Sequence, residues 1–388
     1  MPSATVTVSP RGVDRIFAGH PWIYRSDISV SPGVEPGSVV SVQDRRKRFL
    51  GQALYSSTSQ IALRFLTREK RPIDRKFLAE RIQAAAAYRR QVVQDSDACR
   101  LIASEGDLLP SLIIDHYGEY LVVQTLSQGT EKLKPIITDI LQEQFSPHGI
   151  VERNDVAVRA LEGLEQTKGI LAGDVPKEVV VTINGLRFAF DLLEGQKTGG
   201  FLDQRENQRA AQNYAFGRAL DCFTYAGGFA LNISRQCQSV LAIDSSQDAL
   251  SLARRNAELN DISNIEWKEA NCFDFLKAAD QAGERFDAVV LDPPAFARQR
   301  SNLDSALRGY KELNLRGMKI LSPGGYLITC SCSYHVTEAD FLEAIASAAV
   351  DAHRTVTVVE RRTQGRDHPI LLTVPETLYL KCLVLRVL

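Results

Sequence analysis

The stretch "LITCSCSYHV" (327–336) sets Cys330 and Cys332 two residues apart at the end of an apolar run. Such a pair could ligate a metal, form a disulfide, supply a nucleophile, or simply end a buried strand. Structural zinc takes four ligands, usually in paired C-x-x-C or His arrangements. The seven cysteines, at 99, 222, 237, 272, 330, 332 and 382, show no such pairing. A disulfide two residues apart would be strained, and an odd, scattered set of cysteines suits a reducing cytosol. A nucleophile and a packed strand end stay open.

Two other stretches bear on the chemistry. "DAVVLDPPAF" (287–296) is an apolar strand ending in Asp-Pro-Pro. The prolines fix the loop, so Asp292 and the neighbouring carbonyls become rigid acceptors, suited to a planar base with an exocyclic amine. "ALDCFTYAGGFAL" (219–231) runs from a strand through a turn into a helix, and "LAID" (241–244) ends the next strand in Asp244. In a doubly wound sheet the first turn brings backbone close to a ligand, and an acid after the second strand accepts from ribose hydroxyls. A pyrophosphate site needs G-x-G-x-x-G, but here Phe223, Tyr225 and Gly227 occupy the turn. A turn opening on an acid, Asp221, suits a cofactor without phosphates, such as S-adenosylmethionine, whose ammonium and sulfonium favour carboxylates and carbonyls.

The elements that must hold these residues alternate regularly. Beyond residue 215 the pattern predicts strand 218–223, a helix from 228, strand 239–244, helix 246–259, strands 264–268 and 287–291, helix 303–320, strand 325–330 and helix 337–349. That alternation means a parallel sheet flanked by helices. Upstream, the first 70 residues are short β-rich runs broken by "SPG" and "EPGS", a small barrel or sheet. A helix follows over 74–93, and 100–185 reads as strand-strand-helix-strand-strand around the turn "HYGEY". A chain of 388 residues exceeds one core. The predicted division is 1–72, 73–187 and 188–388, with an α/β fold class for the last part and a central α+β domain before it.

The net charge of −1 conceals an asymmetry: residues 1–100 carry 17 Lys+Arg against 9 Asp+Glu, a net of +8, and the remainder carries −9. Much of the excess lies in "DRRKRFLG" (44–51) and "RFLTREKRPIDRK" (64–76), a phosphate-facing patch if the two fold together. No apolar run reaches the roughly 18 residues of a membrane span, and the first residues lack a signal-peptide core. The expectation is a soluble, cytoplasmic protein with no membrane partner.

Taken together, "GQKTGGFLDQRENQR" (195–209), "DCFTYAGGF", "AIDSS", "LDPPAF" and "TCSCS" make the chain resemble, along its whole length, the bacterial 23S ribosomal RNA cytosine-C5 methyltransferases with an N-terminal PUA domain. The resemblance implies a β-rich PUA RNA-binding domain, a central domain and a Rossmann-like class I methyltransferase domain. It implies S-adenosyl-L-methionine as cofactor and large-subunit rRNA as partner, with no DNA expected and a homodimer left open. By motif, Phe201 and Arg205 resemble the segment that closes over the cofactor, with Lys197 and Thr198 just before it. Phe223 and Gly227 would line the methionine part, Asp244 would bind the ribose, and Asp292 would bridge cofactor and target base. Asn271 in "EANCFDF" stands where an adenine-side acid is commoner.

C5 of cytosine is not nucleophilic. A thiolate adding at C6 makes it enamine-like, which takes one cysteine; transfer to a nitrogen takes none. Residues at the carboxyl end of a parallel strand reach the ligand crevice, so Cys332 is the better-placed thiol and Cys330 the packed one. "SCS" followed by Glu338 also resembles the nucleophile motif of related enzymes. Many of these carry a second cysteine after the proline of the Asp motif; here it is Ala295, so the base that takes the C5 proton is unassigned among Asp292, a water and a neighbour, with His335 read as a loop histidine. The alternatives are an rRNA guanine-N methyltransferase of the same architecture and a non-catalytic RNA-binding or ribosome-assembly factor. The resemblance to PUA domains raises Gly19, His20 and Arg25 as surface candidates, and Trp22 either stacks on a base or caps a turn of the small barrel.

Overall fold

The computed structural model describes residues 4–297 and 299–388. Its chain divides into two compact units, the first running to Val181 with Phe190–Gly200 and Arg366–Thr377, the second made of Thr182–Ala189, Phe201–Gly365 and Leu378–Leu388.

The first unit contains two sheets. Six strands between Thr5 and Thr67 form one, with alternate residues such as Val40 and Val42 of Val39–Gln43 turned into its core. A helix absent from the sequence expectation, Pro10–Phe17, starts on Ser9, whose hydroxyl accepts the Gly12 N–H, with proline in the first turn. The second sheet has five strands in sequential order: Ala98–Ala103, Leu112–Tyr117, Tyr120–Thr125, Gly149–Arg153 and Lys168–Gly173. Helix Gln128–Phe145 is the crossover between its two parallel neighbours. The predicted strand-strand-helix-strand-strand order lacked Ala98–Ala103, because "ACRLIA" is a short apolar run without a period of its own, and merged the later runs, which separate into Gly149–Arg153, Lys168–Gly173, Val179–Ile183 and Leu186–Phe190. Helix Arg75–Val92 is capped by Asp74 and covers this sheet.

The expected basic patch is halved. Arg45 to Arg48 stand exposed at the tip of the hairpin joining Val39–Gln43 to Phe49–Tyr55. Within 64–76, however, Arg64 pairs with buried Glu162 at 2.8 Å, Arg71 with Glu80 at 2.7 Å and Arg75 with Glu143 at 2.5 Å. Arg64 is withdrawn into a buried pair, while Arg71 and Arg75 are neutralised by acids at the surface. Arg25, expected at the surface, donates to the carbonyls of Ser56 and Ser59, and the Trp22 indole donates to Glu105 at 2.9 Å.

The second unit is built on a seven-stranded sheet: β1 (Gly217–Cys222), β2 (Cys237–Asp244), β3 (Ile265–Glu269), β4 (Phe286–Leu291), β5 (Leu321–Ser331), β6 (Val356–Arg362) and β7 (Lys381–Val387). Their order is β3-β2-β1-β4-β5-β7-β6, parallel except for β7, which runs antiparallel to both β5 and β6. Helices Gln247–Glu258 and Glu338–Asp351 fall close to their predicted spans, whereas β6, β7 and helix Cys272–Gln281 are additions. Order reverses at β1, the switch point where open α/β sheets bind ligands. Across it Ile243 pairs with Cys222, Cys222 with Leu291, and Leu291 with Thr329. The carboxyl ends of β2, β1, β4 and β5 therefore share one edge, and the loops that follow them converge. Among the described residues no helix is long and apolar enough to cross a membrane.

Candidate active site

After β1 the chain turns through Phe223, Thr224, Tyr225 and Ala226. Phe223, Tyr225 and Gly227 have φ of +64°, +48° and +83°, the left-handed region that bulky residues rarely adopt. Such strain persists where the surroundings over-determine it. Here the Tyr225 N–H donates to Asp244 Oδ2 at 2.9 Å, the Thr224 N–H to the Ile243 carbonyl at 3.1 Å, and buried Asn256 donates to the Ala226 carbonyl at 3.0 Å. At Gly227 a Cβ would lie 3.0 Å from Leu231 and 3.1 Å from the Trp267 ring, so a side chain there would be tight as well as strained by the positive φ. The Phe201 ring meets Tyr225 edge-on, centroids 5.2 Å apart, which brings one cofactor-segment candidate onto the first loop.

Asp221, at the base of this loop, is 1% exposed. Its Oδ2 accepts from the Thr224 hydroxyl at 2.6 Å and the Ala230 N–H at 2.9 Å, while its Oδ1 is buried without a hydrogen-bond partner. Burial drives its pKa from 3.8 to about 7, helped by the charges of Asp292 and Asp244 and opposed by the two hydrogen bonds. An orphaned carboxylate oxygen with two further carboxylates near it asks for a cation. The sulfonium and ammonium of S-adenosylmethionine meet that demand; phosphates would not. Asp244 accepts from Tyr225 and, through Oδ1, from the Ser246 N–H at 3.0 Å. A carboxylate has about four acceptor sites, so capacity remains for a ribose hydroxyl.

The other candidates separate. Asn271 caps helix Cys272–Gln281: its Oδ1 accepts from the Phe273 N–H at 2.9 Å and the Asp274 N–H at 3.3 Å, so the part of its amide that can face an adenine is the NH2 group. Arg205 is buried, 3.6 Å from Glu206. Lys197 and Thr198 belong to the first unit, where Lys197 is exposed at φ +52°. The Thr198 hydroxyl there donates to buried Asp115 at 2.5 Å.

Asp292 follows β4 and accepts from Gln204 Nε2 at 2.8 Å. Asn207 Nδ2 donates to Gln204 Oε1 at 2.7 Å, and Arg362 Nε donates to Asn207 Oδ1 at 2.9 Å. The relay fixes the amide orientations, leaving Asp292 the acceptor at its end. Gln204 lies inside the quoted motif "GGFLDQR", but its role was legible only from the contact.

The two cysteines differ as expected. Cys330 is fully buried opposite Cys382 on β7; burial first, then the Cys382 thiol, pushes it well above the usual thiol range. Cys332 lies one residue beyond β5, partly exposed, its thiol 3.9 Å from the Pro293 carbonyl of the Asp-Pro-Pro loop. Ser333 anchors the same turn through Tyr310 Oη at 2.9 Å and the Ala297 N–H at 3.1 Å.

The chain is similar to known proteins along nearly its whole length. Residues 6–68 match the PUA-like domain family and residues 165–386 the S-adenosylmethionine-dependent methyltransferase family. Two relatives named ribosomal RNA large subunit methyltransferase I, from Erwinia tasmaniensis and Tolumonas auensis, are 38% identical over 378 residues (95% of this chain, 96% of the relative) and 39% identical over 394 residues (99% of each). A methyltransferase crystallised with SAH covers 99% of this chain and all of its own at TM-score 0.85 and 20% identity, a likeness of fold.

Proposed function

The chain belongs to the ribosomal RNA large subunit methyltransferase I family of S-adenosylmethionine-dependent methyltransferases, and on that premise we propose that it forms 5-methylcytosine in large-subunit (23S) rRNA through a covalent Cys332 adduct. The observation that carries this reading is a partly exposed thiol at the carboxyl end of β5, beside the carbonyl of Pro293 in the loop that holds Asp292. Methyl transfer to a base nitrogen has no use for that thiol.

The Cys332 thiolate attacks C6 of the cytosine, and the electron pair of the C5–C6 double bond moves so that C5 becomes nucleophilic. When bound, S-adenosylmethionine would supply an electrophilic methyl to C5, the methyl–sulfur bonding pair staying with sulfur as the neutral thioether. Asp221, the strained loop and Asp244 hold that cofactor, with Phe201, Arg205, Phe223, Gly227 and Asn271 around it and Lys197 and Thr198 preceding the segment. Asp292, fixed as an acceptor by Gln204, orients the exocyclic amine of the base. Loss of the C5 proton to a base then returns its electron pair to the ring and expels the cysteine as thiolate. With Ala295 in place of a second cysteine, that base is a different group.

The division at residues 72 and 187 is part of this reading, with the first domain docking RNA, not DNA, through Arg45 to Arg48, in the cytoplasm. Nucleoside analysis of unmodified 23S rRNA after incubation with enzyme and cofactor tests it. 5-Methylcytidine is the expected product; methylguanosine would move the assignment to the guanine-nitrogen alternative, and no methylated nucleoside to the binding factor.

A further inference from the structure

Lys381 opens β7, 48 residues after Ser333, and is buried, 6% exposed. A buried ammonium is rare without a charged partner. Its Nζ donates to the carbonyl of Ser333, the residue after Cys332, at 2.7 Å, and to the Tyr379 carbonyl at 2.9 Å. Antiparallel pairing of Ser331 with Lys381 sets that position. An ammonium has three donors, and both named acceptors are neutral.

The acidic groups whose charges act on Lys381 are, in order, Cys332, Asp340 and Glu338. Asp340 is held by the Thr337 N–H at 3.0 Å and hydroxyl at 2.6 Å, as the helix cap, and Glu338 lies 3.4 Å from Arg361. Both acids are thus engaged at the start of their own helix. Cys332 sits on the turn that Lys381 itself clamps. Burial lowers the Lys381 pKa to about 8, and of the groups that oppose this Cys332 comes first.

We propose that Lys381 is the positioning counter-charge of Cys332, clamping its turn through the Ser333 carbonyl and holding the sulfur as thiolate while the proton leaves to water. This rests on Cys332 being the nucleophile. It assigns to β7 a role in the reaction that no cysteine or Asp-Pro-Pro motif announces.

The test is the pH profile of Cys332 alkylation by iodoacetamide in the full-length protein, followed by peptide mass spectrometry, for wild type, Lys381→Met and Lys381→Arg. An ordinary thiol is only about 3% ionised at pH 7, so lowering its midpoint by about one pH unit raises the rate there roughly eight-fold. The expected result is a wild-type midpoint below the ordinary thiol value, a roughly five- to ten-fold slower reaction at pH 7 in Lys381→Met, on the order predicted by that ionisation, and recovery of most of the rate in Lys381→Arg. An unchanged rate in a Lys381→Met protein that still melts cooperatively overturns the proposal. So does a wild-type midpoint at the ordinary value, whether or not the variant folds. If the alkylation result holds but Cys332→Ala still makes 5-methylcytidine, the counter-charge role of Lys381 stands and the covalent reading fails.

Discussion

Asp221→Asn should stabilise the cofactor-free protein above neutral pH while weakening cofactor binding. The wild-type carboxyl has a folded pKa of about 7 against 3.8, mainly through burial. Because the folded value is raised, the favourable contribution of the protonated form is complete below about pH 4 and lost as pH rises through about 7. A rise from 3.8 to about 7 sets a ceiling of about 4 kcal/mol on the cost of keeping this group ionised at pH 8. The amide removes that cost but loses charge-assisted bonds to Thr224 and Ala230, so a net gain of about 1–2 kcal/mol is expected at pH 8. For a unit of this size that is a rise in melting temperature of roughly 2–8 °C, shrinking or reversing at pH 5. A cation bound near Oδ1 favours the ionised carboxylate, so wild-type binding of S-adenosylmethionine at pH 6.5 should release protons, and the variant should release fewer. Thermal melts at pH 5 and 8, with calorimetry in two buffers of different ionisation enthalpy, read both effects. A variant that melts lower than wild type by the same amount at both pH values, with proton release intact, would refute the account of Asp221.

Other outcomes follow from single contacts. Gln204→Leu takes the donor from Asp292 and should lower kcat/KM about ten-fold or more, since a charged hydrogen bond is worth about 1.5–3 kcal/mol, with a smaller change in cofactor affinity by calorimetry. Asn271→Asp keeps the cap and adds a negative charge at the helix N-terminus, so melting should rise by the equivalent of about 0.3–1 kcal/mol; a lower melting temperature would contradict its placement as the cap. Reversing Arg45, Arg46 and Lys47 to Glu should weaken RNA binding and flatten its salt dependence, each lost phosphate contact reducing the slope by about 0.7–0.9, while cofactor binding is unchanged. Equal salt slopes for both proteins would remove the hairpin tip from the RNA surface.

The alternation of strands and helices beyond residue 215 was legible because parallel strands and amphipathic helices have distinct periods. Helix Cys272–Gln281 was missed, although Cys272, Phe275, Leu276 and Ala279 repeat at helical spacing behind an Asn cap and all four are buried. The asymmetry of Cys330 and Cys332 followed from strand direction alone. What local sequence does not carry is the long-range pairing. Lys381 reaches the Cys332 turn only because β7 inserts antiparallel between β5 and β6, and Gln204 becomes the orienter of Asp292 only through contact. Charge counting over-read the basic patch for the same reason, since Arg64 and Arg75 find acids 98 and 68 positions away. Thr198, adjacent in sequence to the cofactor segment, has its hydroxyl engaged by Asp115.

Tritiated methyl transfer from S-adenosylmethionine to unmodified 23S rRNA by wild type, Cys330→Ala and Cys332→Ala tests the central claim most directly. Label in 5-methylcytidine from wild type and a folded Cys330→Ala protein, with none from a Cys332→Ala protein that still binds cofactor, is the predicted result. Full labelling by Cys332→Ala would contradict the covalent mechanism.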